Sequence, residues 1–218
     1  LLATVLIAMK AARMLSEPYG IGVSPTSPIL SYEFIPVSCL ALTLLTIFIA
    51  DWRYLSVSVF QLPRRLCSQL ISDLRTRSVW SIYWVVLFLW GSFVTFLHFG
   101  GYEFQWYARF GWWDLMTHFV SGIGVAGILL VGLRNVVSPQ VSLSWMFVAL
   151  LSVGAGFEVY EYIFRAFWHS WTPAYYIQDT AEDLLMACSG AVLIQYAYQI
   201  ASMSYSESPV AVIGKSAE

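Results

Sequence analysis

Three pairs of acidic or imidazole side chains carry the chemistry this sequence offers: Asp114-x-x-x-His118, Glu158-x-x-Glu161 and Asp179-x-x-x-Asp183. A spacing of three or four residues sets each pair on one face of a helix, about one turn apart. Each pair lies in or beside a strongly apolar segment, where an unpaired carboxylate is expensive. Anions gathered in so low a dielectric must be neutralised by a cation or by protonation. Carboxylates with one imidazole are hard-to-borderline ligands, suited to a divalent metal such as Mg²⁺, Mn²⁺, Fe²⁺ or Zn²⁺ rather than to copper. The candidate metal ligands are therefore Asp114, His118, Glu158, Glu161, Asp179 and Asp183, enough for one ion or a bridged pair. Glu158 and His118 are the candidate catalytic groups. The Glu-x-x-His repeat of di-iron bundles is absent, as are a phosphate-binding Gly loop, HExxH and a nucleophilic-serine motif.

Plainer roles compete for several of these residues. Asp179-Thr180-Ala181-Glu182 matches a capping box, so Asp179 can serve only to cap a helix. Asp114 is similarly placed to cap the helix that follows it. Glu161 precedes Arg165 by four residues, the favourable order for an ion pair. Glu158, Glu161 and Asp183 lie too far into their apolar segments for a capping role.

The elements that position these residues are membrane helices. Of the 218 residues 59% are hydrophobic, 17% aromatic and 11% charged, with a mean hydropathy of +0.69. Soluble domains carry about 25% charged residues, so the composition is that of an integral membrane protein. The expected fold is all-α, a polytopic transmembrane helical bundle of five to six spans. Spans are expected at about 29–50, 79–99, 114–133, 141–164 and 180–201, each near the roughly 20 residues a bilayer requires. Residues 1–28 read as a membrane-associated helix and a Gly/Pro loop, with the end of a signal sequence or a truncated span as alternatives for the helix. The connection 51–78 is Arg-rich, and its centre, LCSQLISDL, is amphipathic enough to lie on the membrane surface. Residues 203–218 form a polar tail. Cys39, Cys67 and Cys188 are too scattered for a disulfide framework or a CxxC metal site. The net charge of −2 gives no reason to expect nucleic acid.

Topology gathers the three pairs into one layer. Arg53, Arg64, Arg65, Arg75 and Arg77 place the 51–78 connection in the cytoplasm by the positive-inside rule. Alternation then puts the Trp-rich connections outside, with Trp106, Trp112, Trp113, Trp168 and Trp171 at headgroup level. His118 lies about 6 Å below Asp114, Glu161 and Glu158 about 6 and 10 Å below Arg165, and Asp183 one turn below Asp179. Three separate segments thus bring their polar groups to the outer-leaflet side, and His98 can reach the same depth. Small residues continue each polar stripe inward: Gly122 on the first helix, Gly154 on the second, Ala187 and Gly190 on the third. Such residues allow close backbone approach in lipid.

The series Trp113-Asp114-x-x-x-His118-Phe119-x-x-Gly122, Gly156-Phe157-Glu158-x-x-Glu161 and Asp179-x-x-x-Asp183 before Gly190 resembles the YjdF-like multi-helix membrane proteins of bacteria and archaea. More distantly it is similar to the VanZ-like family, whose pattern also runs Asp-x-x-x-His, Glu-x-x-Gln or Glu, then Asp-x-x-x-Asn. The likeness covers roughly residues 80–200. It implies an acid-and-histidine site at Asp114, His118, Glu158, Glu161, Asp179 and Asp183, and implies no reaction. Glu161 and Asp183 make the site more acidic than the VanZ-like form, which favours cation binding.

The functional expectation is a plasma-membrane, multi-pass protein with a metal-binding cluster on the non-cytoplasmic side. Its leading form is a metal-dependent enzyme, a hydrolase or oxidoreductase, acting on a lipid or lipid-linked substrate. The alternatives are a cation or proton transporter and an accessory subunit of a larger membrane complex. Membrane lipid is the expected partner, with other membrane subunits for the last alternative.

Overall fold

Apolar runs of this length satisfy their own backbone in lipid only as helices or closed barrels, and here they fold as helices. The computed structural model describes residues 34–53, 58–135, 143–164 and 173–206. The expected N-terminal helix and its loop, Arg165, Trp168, Trp171 and the tail from residue 207 lie outside the described residues. Seven helices run through the described residues: α1 (Phe34–Arg53), α2 (Leu62–Thr76), α3 (Val79–Glu103), α4 (Trp106–Arg109), α5 (Trp113–Gly132), α6 (Leu143–Phe164) and α7 (Pro173–Ser206). No strand occurs among them. The chain is an all-α membrane bundle, as its composition implies.

Among the described residues, stretches of four helices are long and apolar enough to cross a membrane: Phe34–Trp52, Val79–Glu103, Trp113–Gly132 and Trp145–Ile163. They correspond to the first four expected spans. The fifth, within α7, is long enough at 34 residues, but Asp179, Glu182 and Asp183 lower its hydropathy. Two boundaries depart from expectation. α7 starts at Pro173 rather than near residue 180, because Pro suits the first turn of a helix and the fully buried Tyr176 anchors that turn against Ile35, Cys39 and Ala155. It also continues to Ser206, past the expected end at 201. The connection after α3 is shorter than expected, since α3 runs to Glu103 and a single turn, α4, follows.

α5 packs most extensively on α7, and α1 on α6; the α6–α7 and α3–α5 contacts come next. Side by side the order is therefore α1, α6, α7, α5, α3. The three helices carrying the paired residues lie together in the middle. Toward the Arg-rich end, Ala126, Leu133, Trp145, Met146, Leu150, Cys188 and Ala191 form an apolar core among these same three helices. At the opposite end Trp106, Trp112 and Trp113 gather, with ring centroids 4.6 Å apart for Trp106 and Trp113 and 5.7 Å for Trp112 and Trp113.

The amphipathic α2 is pinned to the Arg-rich end by an ion pair that sequence reading did not anticipate. Arg134, just past α5, grips the buried Asp73 of α2 with both arms, Nη2 to Oδ1 at 2.6 Å and Nη1 to Oδ2 at 3.0 Å. Trp84 Nε1 and Gln69 Nε2 also donate to Asp73, at 2.8 and 3.1 Å, and the guanidinium lies 4.5 Å from the centre of the Trp80 ring. Burial pushes the Asp73 carboxyl up, but the hydrogen bonds from Arg134, Trp84 and Gln69, with the Arg134 charge, outweigh it and hold the group below its ordinary value. A carboxylate depressed on folding stabilises the fold above its unfolded pKa, about 3.9. That contribution is lost as the pH falls through the folded value. Asp73→Asn is expected to lower the melting temperature in detergent by ~5 °C at pH 7. It should also blunt the loss of stability below about pH 4 that the parent undergoes. Identical melting curves for parent and variant from pH 7 to pH 3 would refute this role.

Candidate functional site

The site is built where α5 begins, α6 ends and the second and third turns of α7 pass. Asp114 stands in the first turn of α5, where the helix dipole favours an acid, yet Asp114 is not the cap. That position is Trp112, which makes no side-chain cap bond. Asp179 is not a cap either. It lies six residues inside α7, which begins at Pro173, and Glu182 accepts from Gln178 Nε2 at 2.7 Å instead of closing a capping box. Both capping explanations therefore fail. The Glu161–Arg165 pairing falls outside the described residues on the Arg165 side.

Five of the six expected residues converge in two groups. Ligating atoms of Asp114, His118 and Asp183 lie within 4.8 Å of one another, and so do those of Glu158, Glu161 and Asp183. Asp183 belongs to both. Asp179, buried one turn before Asp183, belongs to neither. His118, Glu158, Glu161 and Asp183 are 7%, 1%, 4% and 2% exposed. Among the described residues, the ion pairs of Asp114 and Asp183 are with His118 and with no Arg or Lys.

His118 Nε2 is 3.3 Å from Asp183 Oδ2 and 3.6 Å from Asp114 Oδ1. Neither approach makes a hydrogen bond: Nε2 is buried without a hydrogen-bond partner, as are Asp183 Oδ1 and Asp179 Oδ2. Buried polar atoms are nearly always satisfied, so each exception needs a cause. Ligands bound at about 2.1 Å to one tetrahedral ion stand roughly 3.4 Å apart. The two His118 distances match that spacing, and the donor set is hard to borderline. These residues fit a divalent cation.

Neighbours bond to these residues. Thr180 donates to Glu158 Oε2 at 2.8 Å and so orients that carboxylate, and Tyr176 donates to the Glu158 carbonyl oxygen at 3.2 Å. Thr117, fully buried, bonds the Asp114 carbonyl oxygen at 2.8 Å. Sequence reading missed these three, because hydroxyl residues in apolar helices carry no motif of their own. His98 reaches the same layer, its ring centroid 5.6 Å from that of His118. Its Nδ1 is 2.9 Å from the Tyr107 hydroxyl and its Nε2 3.2 Å from Ser121 Oγ. Ser121 gives its own proton to the Thr117 carbonyl at 2.6 Å. That leaves the Ser121 oxygen to accept from His98 Nε2–H, with Tyr107 donating to Nδ1.

Fold and site together define a multi-helix membrane protein with a buried carboxylate–histidine cluster. The chain belongs to the family described as "Predicted membrane protein (DUF2238)", whose model matches residues 34–203. This is the YjdF-like family that the motif series resembles. No curated protein and no solved structure matches the chain.

Proposed function

We propose that the cluster binds divalent metal in a membrane enzyme acting on a lipid or lipid-linked substrate. The observation that carries this reading is the orphaned His118 Nε2, spaced from two carboxylates as co-ligands are. Because Asp183 serves both groups, two ions could be held, one by Asp114, His118 and Asp183 and one by Glu158, Glu161 and Asp183. Metal in such a place would polarise a substrate carbonyl or phosphoryl oxygen and acidify bound water. Glu158, oriented by Thr180, would take the proton as general base in place of ligating, leaving Glu161 and Asp183 to the second ion. The Arg-rich α2 lies at the opposite end of the bundle, so the positive-inside rule directs the cluster outward, in the plasma membrane.

Transport is disfavoured by the core of Leu133, Trp145, Met146 and Leu150, in which, among the described residues, the unpaired Trp145 Nε1 and nearby Gln195 offer an ion few polar groups toward the Arg-rich end. The deciding experiment pairs elemental analysis of detergent-purified protein with lipid profiling of cells carrying parent, His118→Ala or Glu158→Ala. The parent is expected to hold about two equivalents of metal, about half of it lost in His118→Ala, whose imidazole serves one of the two groups, with lipid turnover lost in both variants. Unchanged metal content and unchanged lipids would end this reading.

A further inference from the structure

A cavity of about 360 Å³ lies against the cluster between α3, α5 and α6, and His118 forms part of the wall of both. Its volume falls in the range of small-molecule sites. The lining changes character with depth. Near the cluster end it is His98, His118 and Ser121 among the rings of Phe99, Phe157 and Tyr160; farther along it is Val94, Val125 and Leu150. Val125 stands about 10 Å deeper than His118 along α5. On the antiparallel α6, Leu150 is likewise the lining residue farthest from the cluster. The lipid-facing flanks are apolar too: Val153 on α6 and Phe93 and Phe96 on α3 are each about half exposed.

A chamber with polar groups at one end and hydrocarbon walls beyond suits an amphiphile with one polar group and a chain. A small hydrophilic solute would leave its own polar atoms unpaired against Val94, Val125 and Leu150. Between membrane helices at this depth the surrounding medium is itself hydrocarbon. We infer that this cavity seats the hydrocarbon chain of a membrane lipid whose polar group lies at His118. The inference rests on the metal-enzyme reading for what happens to that polar group, but not for the chain's place. His98, fixed by Tyr107 and Ser121, faces the same polar end and is a positioning residue for the polar group.

The test uses purified full-length chain in nanodiscs with two photoreactive probes, a phospholipid and a polyprenyl phosphate, each carrying a mid-chain diazirine. Cross-linked peptides are mapped by mass spectrometry in the parent, in Val125→Trp, which fills the deep end, and in Val153→Trp at the mouth. Cross-links by either probe at Val94, Val125 or Leu150, reduced ~10-fold or more in a correctly folded Trp variant, support the inference. The probe that labels says whether the chain is acyl or isoprenoid. Labelling confined to outward-facing residues, or undiminished in both Trp variants, overturns it. Asp183→Asn separates the two readings, since chain labelling is expected to survive there even where metal is lost. Metal bound without labelling of the cavity would leave the metal reading standing and remove this one.

Discussion

If the cluster holds the two ions proposed, Asp183→Asn is expected to empty it of metal entirely, whereas Asp114→Asn and Glu161→Gln each remove about half. The asymmetry follows from connectivity. Asp183 supplies an oxygen to both groups of three, while each of the others serves one. An amide keeps the shape and one carbonyl acceptor but gives up the charge, and a bridging position needs two anionic oxygens. Loss of even an outer partner costs a metal site 10–100-fold in affinity, so loss of a shared ligand costs at least ~100-fold. Elemental analysis of the four proteins reads this directly, and loading with Mn²⁺ adds a spectroscopic check. A bridged pair gives the multiline signal of coupled ions, which the parent should show and both half-site variants should lack. Equal partial losses in all three variants would mean that Asp183 is one ligand among several and that the bridged arrangement is wrong.

The parts of this site that were legible in the sequence are those fixed by local periodicity. Asp114 and His118, or Glu158 and Glu161, share a face because a helix repeats every 3.6 residues. The segments had to be helices because lipid leaves few other options. Depth was legible for a similar reason, since rise per residue is nearly constant. What local pattern cannot supply is which helix stands beside which. The order α1, α6, α7, α5, α3 brings Asp183 between the paired residues of α5 and α6, and no spacing in the chain encodes it. The same gap hid the grip of Arg134 on Asp73, 61 residues away, and the bond from Thr180 to Glu158. The capping-box reading failed for a different reason. Asp-Thr-Ala-Glu looks the same at a helix start and in a helix interior, and the extra turns from Pro173 were decided by burial of Tyr176 against α1 and α6.

The contact that sets the α5–α7 distance makes the remaining prediction. At Gly122 an added Cβ would run into the carbonyl oxygen of Ala187, and at Gly190 into that of Phe119, with Ile123 N 3.0 Å away. Both obstacles are backbone, so no side chain can swing aside. Either the helices part or the substitution is rejected. Gly122→Val and Gly190→Val are each expected to cost at least ~3 kcal/mol, the upper range for overpacking. Separation should cost more than stability. Gly122 lies one turn from His118 and Gly190 two turns from Asp183, so parting α5 from α7 stretches the 3.3 Å approach between them and would release the ion proposed there. Gly91, on α3, is the control: an added Cβ there meets nothing within 4 Å, and Ala in a helix interior is favoured over Gly by ~0.5–1 kcal/mol. Thermal unfolding in detergent, with metal content measured on the same samples, distinguishes these cases. Gly91→Ala should melt at or above the parent temperature with full metal, and the two Val variants well below it with about half. If Gly122→Val kept both its melting temperature and its metal, the close α5–α7 packing would not be what holds His118 against Asp183.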